Sequence, residues 1–137
     1  MPWVFDPQSG GVKVPPRVQE ETRRRILDYA DKHHRRKYTR LDIRFRGPLC
    51  YIDAYCEPNV PRNWPPKTWN VSRADYIERL RNTPIHLCRL RHFSHDRWSL
   101  AYFTYSNEKY VPCVFENGDW FGTPEQAFEI GATHLPE

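Results

Sequence analysis

The sequence has no long apolar run, and its first ten residues do not predict a secretory leader. No stretch approaches the roughly eighteen consecutive apolar residues that a membrane-spanning helix requires, and residues 1–10 lack a basic segment followed by an apolar one. The mean hydropathy is correspondingly low, at −0.84. These absences argue against the membrane and exported classes, so we expect a cytoplasmic protein without a membrane partner.

Cysteine motifs are also missing. The four cysteines, Cys50, Cys56, Cys88 and Cys113, lie in strand-like segments without C-x-x-C spacing, which favours reduced, buried thiols over a disulfide framework. About 20 Å of extended strand separates Cys50 from Cys56, too far for the two to share a zinc ion. The Asp and Glu-x-Lys spacing of metal-dependent nucleases is absent as well. We therefore expect neither a metal site nor a cofactor.

The chain is rich in aromatic residues, and its length suits a single domain. The 137 residues include five Trp and eight Tyr, and they show no internal repeat or low-complexity tract. A chain of this length buries roughly two thirds of the surface that it exposes when unfolded, and the aromatic rings supply the apolar part of that area. The sequence predicts a single domain over residues 1–137, with residues 1–14 as an extended N-terminal arm.

Positive charge is concentrated in the first predicted helix. Eight Lys or Arg and four Asp or Glu lie between Arg17 and Lys37, so this segment carries the whole net charge of +4. Pro15 and Pro16 suit the first positions of a helix. Its apolar face contains Val18, Thr22, Ile26, Tyr29, Ala30 and His33. Its other face contains three i,i+4 ion pairs, Glu20–Arg24, Glu21–Arg25 and Asp28–Lys32. Such pairs are typical of a solvated helix, whereas the cations at residues 35–37 are a second candidate for phosphate contact.

Residues 40–56, RLDIRFRGPLCYIDAYC, predict a β-hairpin. Side chains alternate along a strand, and a two-residue loop at Gly47-Pro48 pairs the apolar residues with one another. The predicted apolar pairs are Leu41–Ala54, Ile43–Ile52 and Phe45–Cys50. The opposite face, here called the polar face, contains Arg40, Asp42, Arg44, Arg46, Tyr51, Asp53 and Tyr55, with Arg40 opposite Tyr55, Asp42 opposite Asp53 and Arg44 opposite Tyr51. A shift of one residue would bury the charges, so the pattern selects this register.

The polar face contains an unusual pair of acids. Asp42 opposite Asp53 places two carboxylates at a Cβ separation of about 5 Å, which requires a compensating cation. Arg40, Arg44 or Arg89 would supply that cation. The alternative is a divalent metal ion such as Mg²⁺ bridged by both carboxylates.

The remaining segments alternate between strand and helix patterns. Residues 57–71 contain four prolines and two tryptophans, which predicts an ordered surface loop whose Trp64 and Trp69 either anchor a partner or cover the core. Ser72 and Thr123 are N-caps of two short helices. Strands are predicted over residues 85–105, as a hairpin around Ser94-His95-Asp96, then over 110–115 with a short return strand across Asn117-Gly118. The predicted fold is α+β: an antiparallel, meander-like sheet of about five strands with an N-terminal helix and two short helices.

The register of the second hairpin is left open by the pattern. A loop with an even number of residues would put Arg91 beside Trp98 and Leu87 beside Tyr102, so that Trp98 and Tyr102 extend the polar face. An odd loop would send both rings into the core. Arg89 and Arg91 share one face of their strand in either case.

Guanidinium groups among aromatic rings are typical of surfaces that hold single-stranded nucleic acids, through phosphate contacts and base stacking. Binding of single-stranded nucleic acid or a nucleotide on the polar face is therefore the leading functional prediction. The predicted ligand-binding residues are Arg44, Arg46, Tyr51, Asp53, Tyr55, Arg89, Arg91, Trp98 and Tyr102. A protein-interaction or homo-oligomeric assembly module is the second hypothesis, and a small ribonuclease-like enzyme is the third.

Catalytic candidates are few. His86 and Cys88 share a predicted strand face, but Cys88 is expected in the core, where thiols are inert. His33-His34, at the end of the basic helix, or His95-Asp96, in a turn, would furnish an acid or base for RNA cleavage, although solvent exposure or capping explains them equally. No residue is predicted to be catalytic.

Four segments carry a family resemblance. RFRGPLCYIDAY, HLCRLRHF, YSNEKYVPCVF and FGTPEQAFEIGA cover much of the chain after residue 43 and resemble a family of small uncharacterised bacterial proteins. The resemblance implies a bacterial, cytoplasmic origin. It assigns no activity and no catalytic residue.

Overall fold

The sheet follows the order of the chain, because each strand turns back on the one before it. The computed structural model describes residues 7–136. Their strands are β1 Arg40–Arg46, β2 Leu49–Tyr55, β3 Ile85–Ser94, β4 Arg97–Thr104, β5 Lys109–Cys113 and β6 Phe121–Gly122. Their helices are α1 Pro16–His34, α2 Arg73–Arg81 and α3 Pro124–Gly131. The strands pair antiparallel in the order β1-β2-β3-β4-β5, which confirms the α+β fold.

The predicted register of the first hairpin is confirmed at every pair. Leu41, Ile43 and Phe45 lie opposite Ala54, Ile52 and Cys50, and Asp42 lies opposite Asp53. Gly47 has a φ of +58°, in the left-handed region that favours glycine, and this conformation closes the two-residue turn before Pro48. The apolar side of the hairpin therefore faces the core as a unit.

A β-bulge changes the face of one residue in β3. Ile52 pairs with Cys88, but the next residue of β2, Asp53, pairs with His86, so Leu87 has no partner of its own. A bulge shifts the alternation of side chains by one residue. The prediction that His86 and Cys88 share a strand face is therefore wrong: Cys88 lies in the core, and His86 lies beside Asp53.

The second hairpin also carries an irregularity. Ser94 pairs with Arg97 and His92 pairs with Trp98, so the residue between Ser94 and His92 is the extra one. Trp98 consequently lies opposite His92, not beside Arg91, and it is only 2% exposed. Tyr102 lies opposite Cys88 on the same side. The prediction that Trp98 and Tyr102 extend the polar face is wrong, because the extra residue turns both rings toward the helices.

The return strand pairs differently from a simple hairpin. Phe115 N donates to Asp119 O at 2.7 Å across the Asn117-Gly118 turn. Beyond this turn, β6 pairs with the first residues of β4 and not with β5. Strand β5 pairs with residues 100–104 of β4. The two short strands thus share one edge of β4.

Helices α1 and α3 pack on the apolar face of the sheet. Ile26 and Ala30 of α1 and Phe128 of α3 are buried in one hydrophobic cluster with the strands. A Cβ at Gly131 would lie 2.9 Å from Sγ of Cys88, so a glycine is needed for α3 to approach β3 this closely. Burial raises the pKa of the Cys88 thiol, as predicted for a core cysteine.

The charged face of α1 is not simply solvated. Arg25, predicted to pair with Glu21, instead pairs at 2.7 Å with Glu125 of α3 and at 2.7 Å with Asp96 of the β3–β4 turn. Hydrogen bonding to Glu125 raises the pKa of Arg25. His33, predicted on the apolar face, is exposed.

His34, the next residue of α1, is buried in its place. Together with Tyr29 it joins α1 to α3 through one carboxylate. Tyr29 Oη donates to Glu129 Oε1 at 2.6 Å, and His34 Nε2 lies 3.0 Å from the same oxygen. The hydrogen bond from Tyr29 lowers the pKa of Glu129, and the same bond raises the pKa of Tyr29 to about 12. This contact between two helices is therefore sensitive to pH at both extremes.

Both predicted helix caps are confirmed. Ser72 Oγ accepts from Asp75 N, and Thr123 forms a reciprocal capping box with Gln126. In the N-terminal arm predicted over residues 1–14, residues 1–6 lie outside the described part of the chain. Val12 N donates to His92 O and Val14 N to Gly47 O, so the described part of the arm is bonded to the sheet. None of the helices in residues 7–136 has both the length and the apolar character needed to cross a membrane.

The Glu129 contact makes stability depend on pH. Because its folded pKa is lowered, the carboxylate contributes fully above its ordinary pKa of 4.5 and loses that contribution as the pH falls below it. The Tyr29 hydroxyl contributes fully to the free energy of unfolding below pH 10, and this contribution is lost as the pH rises toward 12. We expect the difference in free energy of unfolding between the natural protein and Glu129→Gln, from urea titrations, to be largest between these limits. The exposed Glu20→Gln is the control, and a difference that does not change with pH would contradict the assignment.

Candidate functional site

The polar face lies opposite α1 and α3 and continues across β3, β4 and β5. Pairing places these residues on it: Arg40, Asp42, Arg44, Arg46, Tyr51, Asp53, Tyr55, His86, Arg89, Arg91, Ala101, Phe103 and Tyr110. Seven of the nine predicted ligand-binding residues are therefore on one surface, and the two that are not are Trp98 and Tyr102. Arg91 is turned toward the N-terminal arm, where its Nη1 donates to Gly10 O at 2.9 Å.

Asp53 is the centre of this surface. Its side chain is only 1% exposed, and its two oxygens have different partners: Oδ1 lies 2.9 Å from His86 Nδ1, and Oδ2 lies 3.1 Å from Arg44 Nη2. Arg44 also reaches Asp42, with Nη1 at 3.2 Å from Oδ2. One guanidinium therefore compensates both acids, which confirms the interpretation that an arginine balances the pair. A divalent ion bridging the two carboxylates would have to displace Arg44.

His86 is fixed through its ring and its backbone. The backbone N–H of His86 donates to Tyr105 Oη at 2.7 Å, and the Tyr105 hydroxyl donates to the backbone carbonyl of His86 at 3.3 Å. The ring packs against Phe103 with centroids 4.8 Å apart. An ionised Asp53 can only accept, so Nδ1 carries the proton and Nε2 is left as an acceptor. Nε2 has no hydrogen-bond partner among the described residues, and the side chain is 37% exposed.

The aromatic rings of the polar face pack against one another. Tyr110 contacts Tyr51 at 5.8 Å and Phe103 at 5.0 Å between centroids, both edge-on. The guanidinium of Arg89 lies over the ring of Tyr110 at 5.2 Å, and that of Arg44 over Tyr51 at 5.6 Å. Burial and the nearby charge of Asp53 raise the pKa of Tyr110, so its phenol stays neutral. The middle of the face is thus a small, ordered cluster of rings and cations.

The rim of the face toward β1 is more open. The side chain of Arg44 is 51% exposed, and it lines a depression of about 400 Å³ together with Phe45, Arg46 and Tyr51. At the other end of β1 the guanidinium of Arg40 lies 4.0 Å from the centroid of Tyr55. Within residues 7–136, Arg40, Arg46 and Arg89 form no ion pair with a carboxylate. The rim therefore offers two cations, Arg40 and Arg46, that no carboxylate of the described residues neutralises.

Sequence reasoning missed His86, Phe103, Tyr105 and Tyr110 as members of this site. The bulge at Leu87, which has no signature in the alternation of residues, hid His86. The two rings of β4 and β5 could have been found by extending the alternation from Arg89 to Phe103 and Tyr110, but only with the register of the second hairpin known.

The other sequence-derived catalytic candidates lie elsewhere. Cys88 is fully buried on the opposite side of the sheet from His86, which excludes the pair as a nucleophile and its base. His95 is 81% exposed in the β3–β4 turn, with Nε2 3.4 Å from Asp96. His92 packs on Trp98 in the core, and burial lowers its pKa. Among the contacts within residues 7–136, His86 is the histidine that combines exposure with a buried carboxylate.

Comparisons of the chain with protein-family models, with curated proteins and with solved structures found no match. The resemblance to a bacterial family stays a prediction, and function has to be argued from the geometry of the polar face.

The cross-strand acids provide a matched test of this geometry. Asp53→Asn removes the buried anion that faces the partly exposed Arg44 and His86, so we expect the free energy of unfolding to fall by about 2 kcal/mol, as for the loss of hydrogen bonding to a charged group. Asp42→Asn removes a half-exposed partner of the same arginine, and we expect a loss of at most about 1 kcal/mol. Urea unfolding of both variants measures the difference. Equal losses would show that Asp53 is not the anchor of the face.

Proposed function

We propose that the protein binds single-stranded nucleic acid along the polar face of its sheet. The observation that carries the proposal is the set of cations on that face, Arg40, Arg46 and Arg89, that form no ion pair with a carboxylate of the described residues; Arg40 and Arg89 each lie over an aromatic ring. Together with Arg44 they supply four guanidinium groups, against two carboxylates, at Asp42 and Asp53. A surface with this excess of positive charge attracts a polyanion.

The spacing of cations and rings supports a single strand as the ligand. Arg40 over Tyr55 and Arg44 over Tyr51 form two cation–ring pairs, four residues apart along β1. A base that stacks on such a ring contributes about 1–3 kcal/mol, while the adjacent guanidinium contacts its phosphate. Stacking of this kind requires bases that are free to leave a helix, so a single strand fits this face better than a duplex.

Salt dependence and two rim variants test the proposal. For a labelled single-stranded oligonucleotide, we expect the logarithm of the association constant to fall linearly with the logarithm of salt, by about 0.7 for each neutralised phosphate. Arg40→Ala and Arg46→Ala should each weaken binding and reduce that slope by about 0.7. Tyr55→Leu should weaken binding with an unchanged slope, because it removes stacking alone. Fluorescence anisotropy measures all three.

The matched control is Arg36→Ala, which removes an exposed cation at the end of α1. An effect as large as that of Arg46→Ala would place the phosphate contact on the helix, and binding that is insensitive to salt would contradict the proposal altogether.

A protein-interaction function is the second candidate, and the loop between β2 and α2 favours it. Trp64 and Trp69 are 39% and 46% exposed, yet they are ordered: their rings meet edge-on at 5.1 Å, and Trp64 Nε1 donates to Tyr76 Oη at 3.2 Å. Arg73 of α2 fixes the loop, because its Nη1 donates to the carbonyls of Pro61 and Trp64 at 2.7 Å each. Rigid exposed tryptophans lose little entropy on binding and are typical anchors of protein contacts.

Self-association is the simplest form of this second function. We expect the average mass in sedimentation equilibrium to rise with protein concentration and to return to the monomer value in Trp64→Ala/Trp69→Ala, because both anchors are removed. Trp120→Ala, a change at a tryptophan of similar exposure outside the loop, should leave association intact. A monomer mass at every concentration would refute self-association through the loop.

A further inference from the structure

His86 has the arrangement of a catalytic base. Asp53 holds its Nδ1 at 2.9 Å, Tyr105 fixes its backbone through both N and O, and Phe103 supports one side of the ring. This combination sets the tautomer and the orientation of the imidazole, and it leaves Nε2 as a basic nitrogen on a half-exposed side chain.

We propose that His86 is the general base of an RNA-cleaving activity on the polar face. This inference rests on the proposed binding of single-stranded nucleic acid and adds a substrate class, RNA, and a reaction to it. Nothing in the register of the strands separates His86 from the binding surface, because His86 and Arg44 contact the two oxygens of the same carboxylate.

The reaction is an internal transesterification. Nε2 of His86 takes the proton from a ribose 2′-hydroxyl, the 2′-oxygen bonds to the adjacent phosphorus, and the bond from phosphorus to the 5′-oxygen breaks. The departing 5′-oxygen, on the opposite side of the phosphorus, takes a proton from solvent, and the imidazolium returns its own proton to solvent. The products are a 2′,3′-cyclic phosphate and a 5′-hydroxyl, so His86 ends neutral and no co-reactant is consumed.

Charges around His86 suit this reaction. Negative charge on the phosphate oxygens grows in the transition state. Arg44 donates from Nη1 to Asp42 Oδ2 and forms an ion pair through Nη2 with Asp53 Oδ2, and its side chain is half exposed, so it has donors left for a phosphate. Arg89, three residues along β3, is a second cation on the same face. Asp53 acts through His86 as a positioning residue, because it holds Nδ1–H and stabilises the imidazolium.

The substrate class follows from the nucleophile. A 2′-hydroxyl is present in RNA and absent from DNA, so both strands bind in the same way but only RNA is cut. This difference separates the inference from the proposed function: an all-deoxy strand measures binding, and an RNA strand measures binding and cleavage together.

The experiment incubates the purified protein with a labelled oligouridylate of about twelve nucleotides and identifies products by mass spectrometry. We expect a 2′,3′-cyclic phosphate and a 5′-hydroxyl, and no cleavage at a linkage whose 2′-hydroxyl is replaced by hydrogen. His86→Gln, which keeps a donor for Asp53, should bind RNA normally and lose at least about 100-fold in rate. His86→Ala should lose as much and regain part of the rate when free imidazole is added.

Two further variants complete the test. His95→Ala, at the far end of β3, should cleave at the rate of the natural protein. Asp53→Asn should lower kcat by a larger factor than it raises KM, because Asp53 holds the ring of His86 as well as pairing with Arg44; the imidazole rescue of His86→Ala provides an independent readout if this variant does not fold.

Each contrary outcome has a distinct meaning. Oligouridylate that binds with the expected salt dependence but is not cut would overturn the catalytic role of His86 and leave the proposed function standing. Cleavage that survives His86→Gln, or that imidazole fails to restore in His86→Ala, would equally overturn it. Absence of binding to both RNA and DNA would overturn the proposed function itself.

Discussion

Burial of the Asp53 carboxylate costs free energy unless cations or hydrogen-bond donors replace the water that it loses. The polar face supplies two such groups, His86 on Oδ1 and Arg44 on Oδ2. Each comes from a neighbouring strand, so the requirement of one side chain ties β1, β2 and β3 together on the side of the sheet opposite α1 and α3. The register of β1 against β2 and the bulge in β3 are both needed for this arrangement, because a shift in either would move Arg44 or His86 to the other face.

The two faces of the sheet are stabilised in different ways. On the apolar face, Ile26, Ala30 and Phe128 pack against the strands, and buried apolar area provides most of the stability there. On the polar face the buried groups are rings and ions, as in the contacts of Tyr110 with Tyr51 and Phe103. A face of this kind stabilises the fold less efficiently than an apolar one. This favours a role of the polar face in recognition over a role as a second core.

How far the sequence predicts this site depends on whether a feature has a local signature. The alternation in residues 40–56 determines which side chains share a face, so the pairing of Asp42 with Asp53 follows from the pattern alone. Charge limits the compensating cation to Arg40, Arg44 or Arg89, and the structure selects Arg44. The bulge at Leu87 leaves no such signature, since Ile85 to Leu90 reads as an ordinary buried strand, and the position of His86 therefore could not be predicted. The same holds for Arg25: an i,i+4 partner was available at Glu21, but tertiary packing offered Asp96 and Glu125 with better geometry.

A catalytic interpretation of His86 and a purely structural one make different demands on the same atoms. A structural histidine would satisfy Asp53 equally well with its ring buried, because only Nδ1 contacts the carboxylate. Its buried Nε2 could then accept a hydrogen bond from another protein group in place of water. Here Nε2 has no partner within residues 7–136, the ring keeps access to solvent, and the nearest cations are arginines with unused donors. The unpartnered Nε2 and the solvent access of the ring add nothing to the stability of the aspartate, and both are what proton transfer from a bound ribose hydroxyl requires.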